Sequence, residues 1–203
     1  MRSLIGACLI APFGALAAHA ADSALTNALT DSGRPPLELA RDGARKPEAV
    51  LTFAGLKPGA AIVDFIPGDG YYTRILSKFE GPKGRVYALV PATTQPVPAR
   101  KAALEDLKKG GDGFLPVDAV LTLGDMTGYA NITVTWQPLT IMGAQFALPE
   151  QVDAVFSIDG YHTLHGKDSG KLDMKAVTKV IFQSLKPGGV YVVADATAAK
   201  GAG

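Results

Sequence analysis

The chain has 203 residues, of which 47% are hydrophobic and 19% charged, and its formal net charge at pH 7 is +1. This composition is typical of one globular domain with a sizeable core. It argues against a disordered chain and against a protein that coats nucleic acid electrostatically. The single cysteine, Cys8, lies in the N-terminal segment described next, so neither a disulfide nor a cysteine nucleophile is expected in the remainder.

Residues 1–20 have the pattern of a secretory signal peptide. Arg2 precedes an apolar run, and Ala18-His19-Ala20 supplies a small-x-small cleavage site before Ala21. We therefore expect a periplasmic or secreted protein with no stable membrane anchor after cleavage. A retained anchor helix is the alternative, although Pro12 leaves a short apolar span for a bilayer.

The segment between the signal and the domain is rich in Ala, Ser, Thr and Asp, so residues 21–33 are predicted to be a flexible lead. The domain itself is expected over residues 34–203. Its first helices are predicted over Leu37–Arg45 and Glu48–Ala54, because prolines precede each of them and Gly59 closes the stretch.

A strand, a helix and a second strand follow in close succession. Ala61–Ile66 is almost continuously apolar, Tyr71–Phe79 has apolar residues at helical spacing, and Arg85–Val90 is apolar again after a Gly-Pro-Lys-Gly turn. This order predicts a βαβ unit, whose two strands are parallel and joined by a right-handed crossover.

The second half continues the alternation. For the third strand, the β-branched residues of Asn131–Trp136 favour that segment over Ala119–Leu123. The other predicted elements are a helix over Pro98–Lys109, a buried strand over Val152–Ile158, a helix over Met174–Leu185, a turn over Lys186–Gly189 and a last strand over Val190–Asp195. The whole pattern predicts an α/β fold, a Rossmann-like three-layer α/β/α sandwich with a mostly parallel sheet.

The turn Pro67–Gly70 is the strongest indication of a binding site. It joins the first strand to a helix, and ligands of open α/β sheets bind at the carboxyl ends of the strands. Asp64 lies at the strand end, where its carboxylate could accept hydrogen bonds. The plainer alternative is a strand-to-helix turn that merely needs two glycines. A dinucleotide site is disfavoured because Thr73 stands where a third glycine would be needed.

Three motifs carry a resemblance to a known family. They are Asp64-x-x-Pro67-Gly68-x-Gly70-Tyr71-x-Thr73, Tyr161-His162-x-Leu164-His165 and Leu185-Lys186-Pro187-Gly188-Gly189. Together they resemble the class I S-adenosylmethionine-dependent methyltransferases over roughly residues 34–203. More narrowly, Arg41-Asp42 and Arg45-Lys46-Pro47 are similar to a group of exported methyltransferase-like proteins of proteobacteria.

The resemblance implies S-adenosyl-L-methionine as the cofactor and a set of residues around it. The residues implied for its methionine part are Asp64, Pro67, Gly68 and Gly70. Val90 and Gln137 would border the ribose and adenine, and Asp159 would close the floor of the site.

The candidate catalytic residues are His162, Tyr161 and His165, which follow a buried strand. In a helical turn the two histidines would share one face, and a histidine titrates near neutral pH, so either could take a proton from a substrate. Alternatively, the histidines hydrogen-bond the loop and Tyr161 is a packing residue. The spacing of nearby acidic residues does not favour a metal site.

These features predict an exported methyltransferase that acts on a small molecule or an envelope component. The alternative is a catalytically inactive methyltransferase-like module that binds a ligand. Three features favour this alternative: Val90-Pro91 lacks the acidic ribose partner, Ala196 replaces a histidine after Asp195, and the C-terminus is short for the fold. Ile66, which replaces the first glycine of the family turn, implies weaker cofactor binding. The final hairpin of the fold is also expected to be missing, which would leave the last strand exposed and able to pair with a second copy.

Overall fold

The computed structural model describes residues 13–92, 120, 123–138, 146–165 and 172–195. The helices are α1 (Phe13–Leu29), α2 (Pro36–Leu39), α3 (Asp42–Arg45), α4 (Pro47–Ala54), α5 (Tyr71–Glu80) and α6 (Met174–Ser184). The strands are β1 (Ala61–Phe65), β2 (Arg85–Ala92), β3 (Ile132–Pro138), β4 (Val152–Ile158) and β5 (Leu185–Ala194). Single turns of 3-10 helix cover Gly81–Lys83, Leu123–Asp125, Thr127–Tyr129 and Tyr161–His165.

The five strands form one parallel sheet in the order β3-β2-β1-β4-β5. The central strand β1 pairs with β2 on one side and β4 on the other, so that Asp64 faces Ala88 and Phe156 in the register. The carboxyl ends of all five strands therefore lie at one edge, which we call the carboxyl edge. The α/β fold prediction is confirmed, and the third strand falls at the favoured of its two candidate segments.

Helices cover both faces of the sheet, because alternate residues of its buried strands are apolar on either side. On one face Ile62, Val86 and Phe156 pack with the buried side of α5. On the other face Val63, Phe65, Tyr87 and Val155 pack with Val177, Val180 and Ile181 of α6. Each such fully buried side chain stabilises the fold by about 1.5 to 3 kcal/mol relative to leaving it in water.

The flexible lead predicted over residues 21–33 is wrong for most of its length. Helix α1 continues to Leu29, with Ala28 fully buried and Ala24, Leu25 and Leu29 packed against the core. These four apolar residues lie on one face at helical spacing, and α1 packs against α5. The small polar residues of the segment lie on the opposite, exposed face of the helix. Their abundance made the composition resemble that of a flexible segment.

Two other boundaries differ from the prediction. The helix predicted over Leu37–Arg45 is divided into α2 and α3 by a turn at Ala40 and Arg41. Strand β5 begins at Leu185, so the predicted turn lies within its bounds as an irregularity in the pairing with β4, where Gly188 has φ 82°. The helix predicted over Pro98–Lys109 lies outside the described residues.

Within the described part of the chain, no helix is both long enough and apolar enough to cross a membrane. The outer edge of β5 pairs with no strand among the described residues.

Candidate active site

The turn after β1 has three residues with left-handed backbone. Ile66 has φ 64°, Gly68 φ 58° and Gly70 φ 83°, and the Gly70 N–H donates to the Pro67 carbonyl at 3.0 Å. Glycine adopts such angles without steric cost, whereas a β-branched residue such as isoleucine is strained there. The turn is thus held in a conformation that the surrounding structure enforces, as is common at functional sites.

Asp64 lies directly below this turn and is buried. Its Oδ2 accepts a hydrogen bond from the Thr73 hydroxyl at 2.6 Å. Burial raises the pKa of Asp64 to about 7, the Thr73 hydrogen bond opposes this rise, and the nearby charge of Asp69 adds to it. From the sequence, Thr73 was a member of the first resemblance motif and a departure from a dinucleotide site, with no partner assigned to its hydroxyl. The structure shows that its hydroxyl ties the first turn of α5 to the end of β1.

The turn is closed on one side and open on another. A Cβ atom on Gly70 would lie 2.9 Å from Leu123 Cδ1 and 3.3 Å from Val120 Cγ2, so the protein's own side chains fill that side. A Cβ atom on Gly68 would meet nothing within 4 Å. A ligand can therefore approach the main chain of the turn at Gly68 and is kept away from it at Gly70.

An arginine cluster, which we define as Arg34, Arg41 and Arg45, surrounds the Tyr71 ring. The three guanidinium carbons lie 5.3, 5.2 and 4.7 Å from the ring centroid, within the range of cation–π attraction. Arg34 is fully buried and makes a two-pronged ion pair with Asp42, at 2.9 and 2.6 Å. The cluster thus packs the segment that precedes β1 onto the start of α5.

Two members of the cluster reach the turns at the carboxyl edge. Arg41 Nη2 lies 2.6 Å from Asp69 Oδ2 in the turn after β1. Arg45 Nη2 lies 3.3 Å from Asp159 Oδ2 in the turn after β4. From the sequence, these arginines were known only as part of a family resemblance, because their acidic partners are 28 residues or more away in the chain.

The turn after β4 comes close to the turn after β1. Asp159 has φ 53°, and its N–H donates to the Ala194 carbonyl at 2.8 Å. A Cβ atom on Gly160 would lie only 2.9 Å from the Ile66 carbonyl oxygen. Asp159, the predicted floor residue, thus lies in a turn that contacts Ile66 of the turn after β1 through Gly160.

His162 is paired with Asp195. Its Nδ1 lies 2.9 Å from Asp195 Oδ1, and its backbone N–H donates to Asp195 Oδ2 at 2.7 Å. The side chain of His162 is 64% exposed and that of Asp195 is 15% exposed. A carboxylate that accepts a hydrogen bond from the Nδ1–H group fixes the tautomer in which the Nε2 lone pair can accept a proton. The pair has the arrangement of a general base and the residue that orients it.

The other candidates occupy more ordinary positions. The rings of Tyr161 and His165 lie in tilted contact, with their centroids 5.2 Å apart, and His165 is exposed. Val90 is buried in the core, so only its main chain could border a ligand. The Gln137 side chain is buried, and its Oε1 accepts from the Ala147 N–H at 3.0 Å. Val90 and Gln137 lie on neighbouring strands at the carboxyl edge.

Neither protein-family models nor curated proteins match the chain. Solved structures do. A methyltransferase from Aquifex aeolicus that depends on S-adenosylmethionine aligns with a TM-score of 0.54 at 23% identity, over 77% of this chain and 66% of that one.

Two further structures align at lower similarity. Aeropyrum pernix fibrillarin, with natively bound S-adenosyl-L-methionine, gives a TM-score of 0.47 at 19% identity, over 73% of this chain and 52% of that one. The glycopeptide N-methyltransferase MtfA gives 0.46 at 17% identity, over 79% and 61%. The chain thus spans between about half and two thirds of the length of these neighbours. The likeness to the Aquifex enzyme shows that the chain has the Rossmann-like methyltransferase fold.

Proposed function

We propose that the protein is a methyltransferase that uses S-adenosyl-L-methionine. The observation that carries the proposal is the His162–Asp195 pair, which stands at the same edge of the sheet as the open glycine turn. The turn supplies a place for a ligand and the pair supplies a base, on a fold shared with an enzyme of this class.

The residues at the edge suit the charges of this cofactor. Its methionine part carries a carboxylate, an ammonium group and a sulfonium. The carboxylates of Asp69 and Asp159 suit the two cationic groups, and the guanidinium groups of Arg41 and Arg45 suit the carboxylate. Gly68 leaves the main chain open beside them. When bound, the cofactor supplies a methyl group made electrophilic by the sulfonium.

In this proposal His162 acts on the methyl acceptor. Its Nε2 takes the proton from an O–H or N–H group of the acceptor, and Asp195 stabilises the resulting imidazolium. The deprotonated atom would then accept the methyl group of the bound cofactor, whose carbon–sulfur bond would break so that S-adenosylhomocysteine leaves. Tyr161 and His165 are proposed to line the mouth. Proximity and orientation provide the rest of the rate enhancement.

Calorimetric titration of the purified chain with S-adenosylhomocysteine tests the binding part of the proposal. We expect binding that Gly68→Ala weakens, because alanine is strained at φ 58° and its methyl group enters the open side. Gly43→Ala is the matched control, since Gly43 lies in helix α3 with open space around it. An absence of heat and of any thermal shift at millimolar ligand would exclude the proposed cofactor.

The second candidate function is a binding module without turnover. It is favoured by the ion pairs of Arg41 and Arg45, which already hold the carboxylates of Asp69 and Asp159. It predicts that the ligand binds but that no methyl group is transferred. A radiolabelled methyl-transfer screen against envelope extract separates the two functions, because only the enzyme yields a labelled product.

We also propose that the protein is exported, acts in the periplasm or outside the cell on a small molecule or an envelope component, and does not act on nucleic acid. The signal-like pattern of residues 1–20 and the balanced charge support this. N-terminal sequencing of protein recovered from the periplasm should begin at Ala21. Among the described residues no strand pairs with the outer edge of β5, which supports the proposal of a homodimer that light scattering would detect.

A further inference from the structure

A cavity of about 610 Å³ lies at the opposite edge of the sheet from the candidate active site. Its walls are the end of α5, the turn of residues 81–84 that follows it, the first residue of β2, and the residues around the start of β3. The size falls within the range of pockets that hold small organic ligands. Because it is at the amino ends of β2 and β3, it is separate from the carboxyl edge.

The described residues that line this cavity include two cations and no acidic side chain. Lys78 stands on α5 and Arg85 at the start of β2. Their acidic partners lie outside the lining: Lys78 Nζ is 3.4 Å from Asp31, and Arg85 Nη1 is 3.1 Å from Glu150. An ammonium group has three donors and a guanidinium five, so each cation keeps donors for a ligand.

Neutral donors complete the lining. Thr127 and Thr133 add hydroxyl groups, and Gly81, Gly84 and Gly128 leave the main chain without side chains. Hydroxyls beside Lys and Arg are the groups that bind the oxygen atoms of a phosphate.

The walls are held in place by Asn131. Its Nδ2 donates to the carbonyl oxygens of Ser77 at 3.0 Å and Gly81 at 2.9 Å, while its Oδ1 accepts from the Ser77 hydroxyl. One side chain therefore fixes the end of α5 to the start of β3. A cavity with such fixed walls needs little reorganisation to bind, which favours affinity.

We propose that this cavity binds a phosphate-bearing small molecule, with the phosphate between Lys78 and Arg85 and the organic part in the remaining volume. The cavity is much larger than a phosphate ion, which is why an organic phosphate fits the space better than inorganic phosphate. The site is independent of the proposed methyl transfer.

Calorimetric titration with glucose 6-phosphate, inorganic phosphate and glucose tests the proposal. We expect glucose 6-phosphate to bind more tightly than inorganic phosphate, and glucose not to bind. Lys78→Gln and Arg85→Gln should each weaken glucose 6-phosphate by about tenfold or more, because each removes a charged hydrogen bond to the phosphate. Lys179→Gln, which removes the same charge from the exposed side of α6, should have no effect.

Amide shifts in a nitrogen-15 spectrum place the ligand. Gly128 and the Asn131 side chain should shift on titration and should not shift with glucose. If Lys78→Gln unfolds the chain, Arg85→Gln decides alone, since the Arg85 side chain is 61% exposed. The proposal is overturned if neither phosphate binds at millimolar concentration, if glucose binds equally, or if the Arg85 variant binds like the control.

Discussion

His162 Nδ1 lies 2.9 Å from Asp195 Oδ1, although 33 residues separate them in the sequence. The two residues meet because β4 and β5 are parallel neighbours, so the segments that follow their carboxyl ends are adjacent. The sequence suggested that Asp195 had lost its histidine partner, since Ala196 follows it. In the structure Asp195 is instead paired with His162, which follows the end of the neighbouring strand β4.

Asp195→Asn should slow methyl transfer by about 100-fold with little change in cofactor affinity. Asparagine can hydrogen-bond the imidazole but cannot stabilise its charged form, and general-base catalysis contributes factors of about 10² or more. Single-turnover assays across pH measure the effect. The exposed Glu48→Gln on α4 serves as the control for loss of a carboxylate. Equal rates in both variants would remove the pair from the mechanism.

The stability of the protein should fall as pH rises from about 5 to about 8. Burial raises the pKa of Glu80 to about 8, although backbone N–H groups at Ala60 and Gly59 oppose the rise. Between the ordinary carboxyl pKa and this value, the folded state holds a proton that the unfolded state has released. The unfolding free energy therefore decreases over this interval. Asp64 adds a decrease that ends near pH 7.

Glu80→Gln should flatten this profile. Glutamine keeps an oxygen that can accept from the Ala60 N–H and has no proton to lose. At pH 9 the variant should be more stable than the parent protein by up to about 4 kcal/mol, while at pH 4 the two should be similar. Urea unfolding at both pH values measures the difference. Parallel profiles for parent and variant would mean that Glu80 ionises normally.

Gly160→Ala should destabilise the protein by about 1 to 3 kcal/mol. The added Cβ would lie 2.9 Å from the Ile66 carbonyl oxygen, and this backbone atom cannot move aside as a side chain would. Gly43→Ala, in open space within α3, should instead be neutral or stabilising by up to about 1 kcal/mol. Thermal unfolding of both variants tests the contact between the two turns. A cost for Gly160→Ala no larger than that for Gly43→Ala would contradict it.

Arg34→Met should destabilise the protein by about 3 to 5 kcal/mol, because it breaks a two-pronged ion pair whose arginine is fully buried. Arg41→Met should cost less than about 1 kcal/mol, since the side chains of Arg41 and Asp69 are 35% and 31% exposed. Denaturant unfolding compares the two. Similar losses would show that burial does not set the contribution of these arginines.

The sequence predicted the elements that depend on local pattern. The continuous apolar runs of β1 and β4 and the helical spacing of α5 are local, and the structure has them where they were expected. Relationships between distant residues could not be read in the same way. The partner of Thr73 is nine residues away and is set by how α5 packs on the end of β1, while that of His162 is 33 residues away and is set by the pairing of β4 with β5. Helix α1 was missed because its short apolar face is stabilised by packing against α5, a contact that the local sequence does not show.

The bridge between Arg45 and Asp159 connects the segment before β1 to the exit of β4. A ligand that formed an ion pair with the Asp159 carboxylate would compete with Arg45 for it. The free energy of breaking the Arg45–Asp159 ion pair would weaken binding of the molecule. By thermodynamic linkage, binding would destabilise the packing of residues 36–46 by the same free energy. Hydrogen exchange in residues 36–46 would then report on ligand binding at the turn after β4.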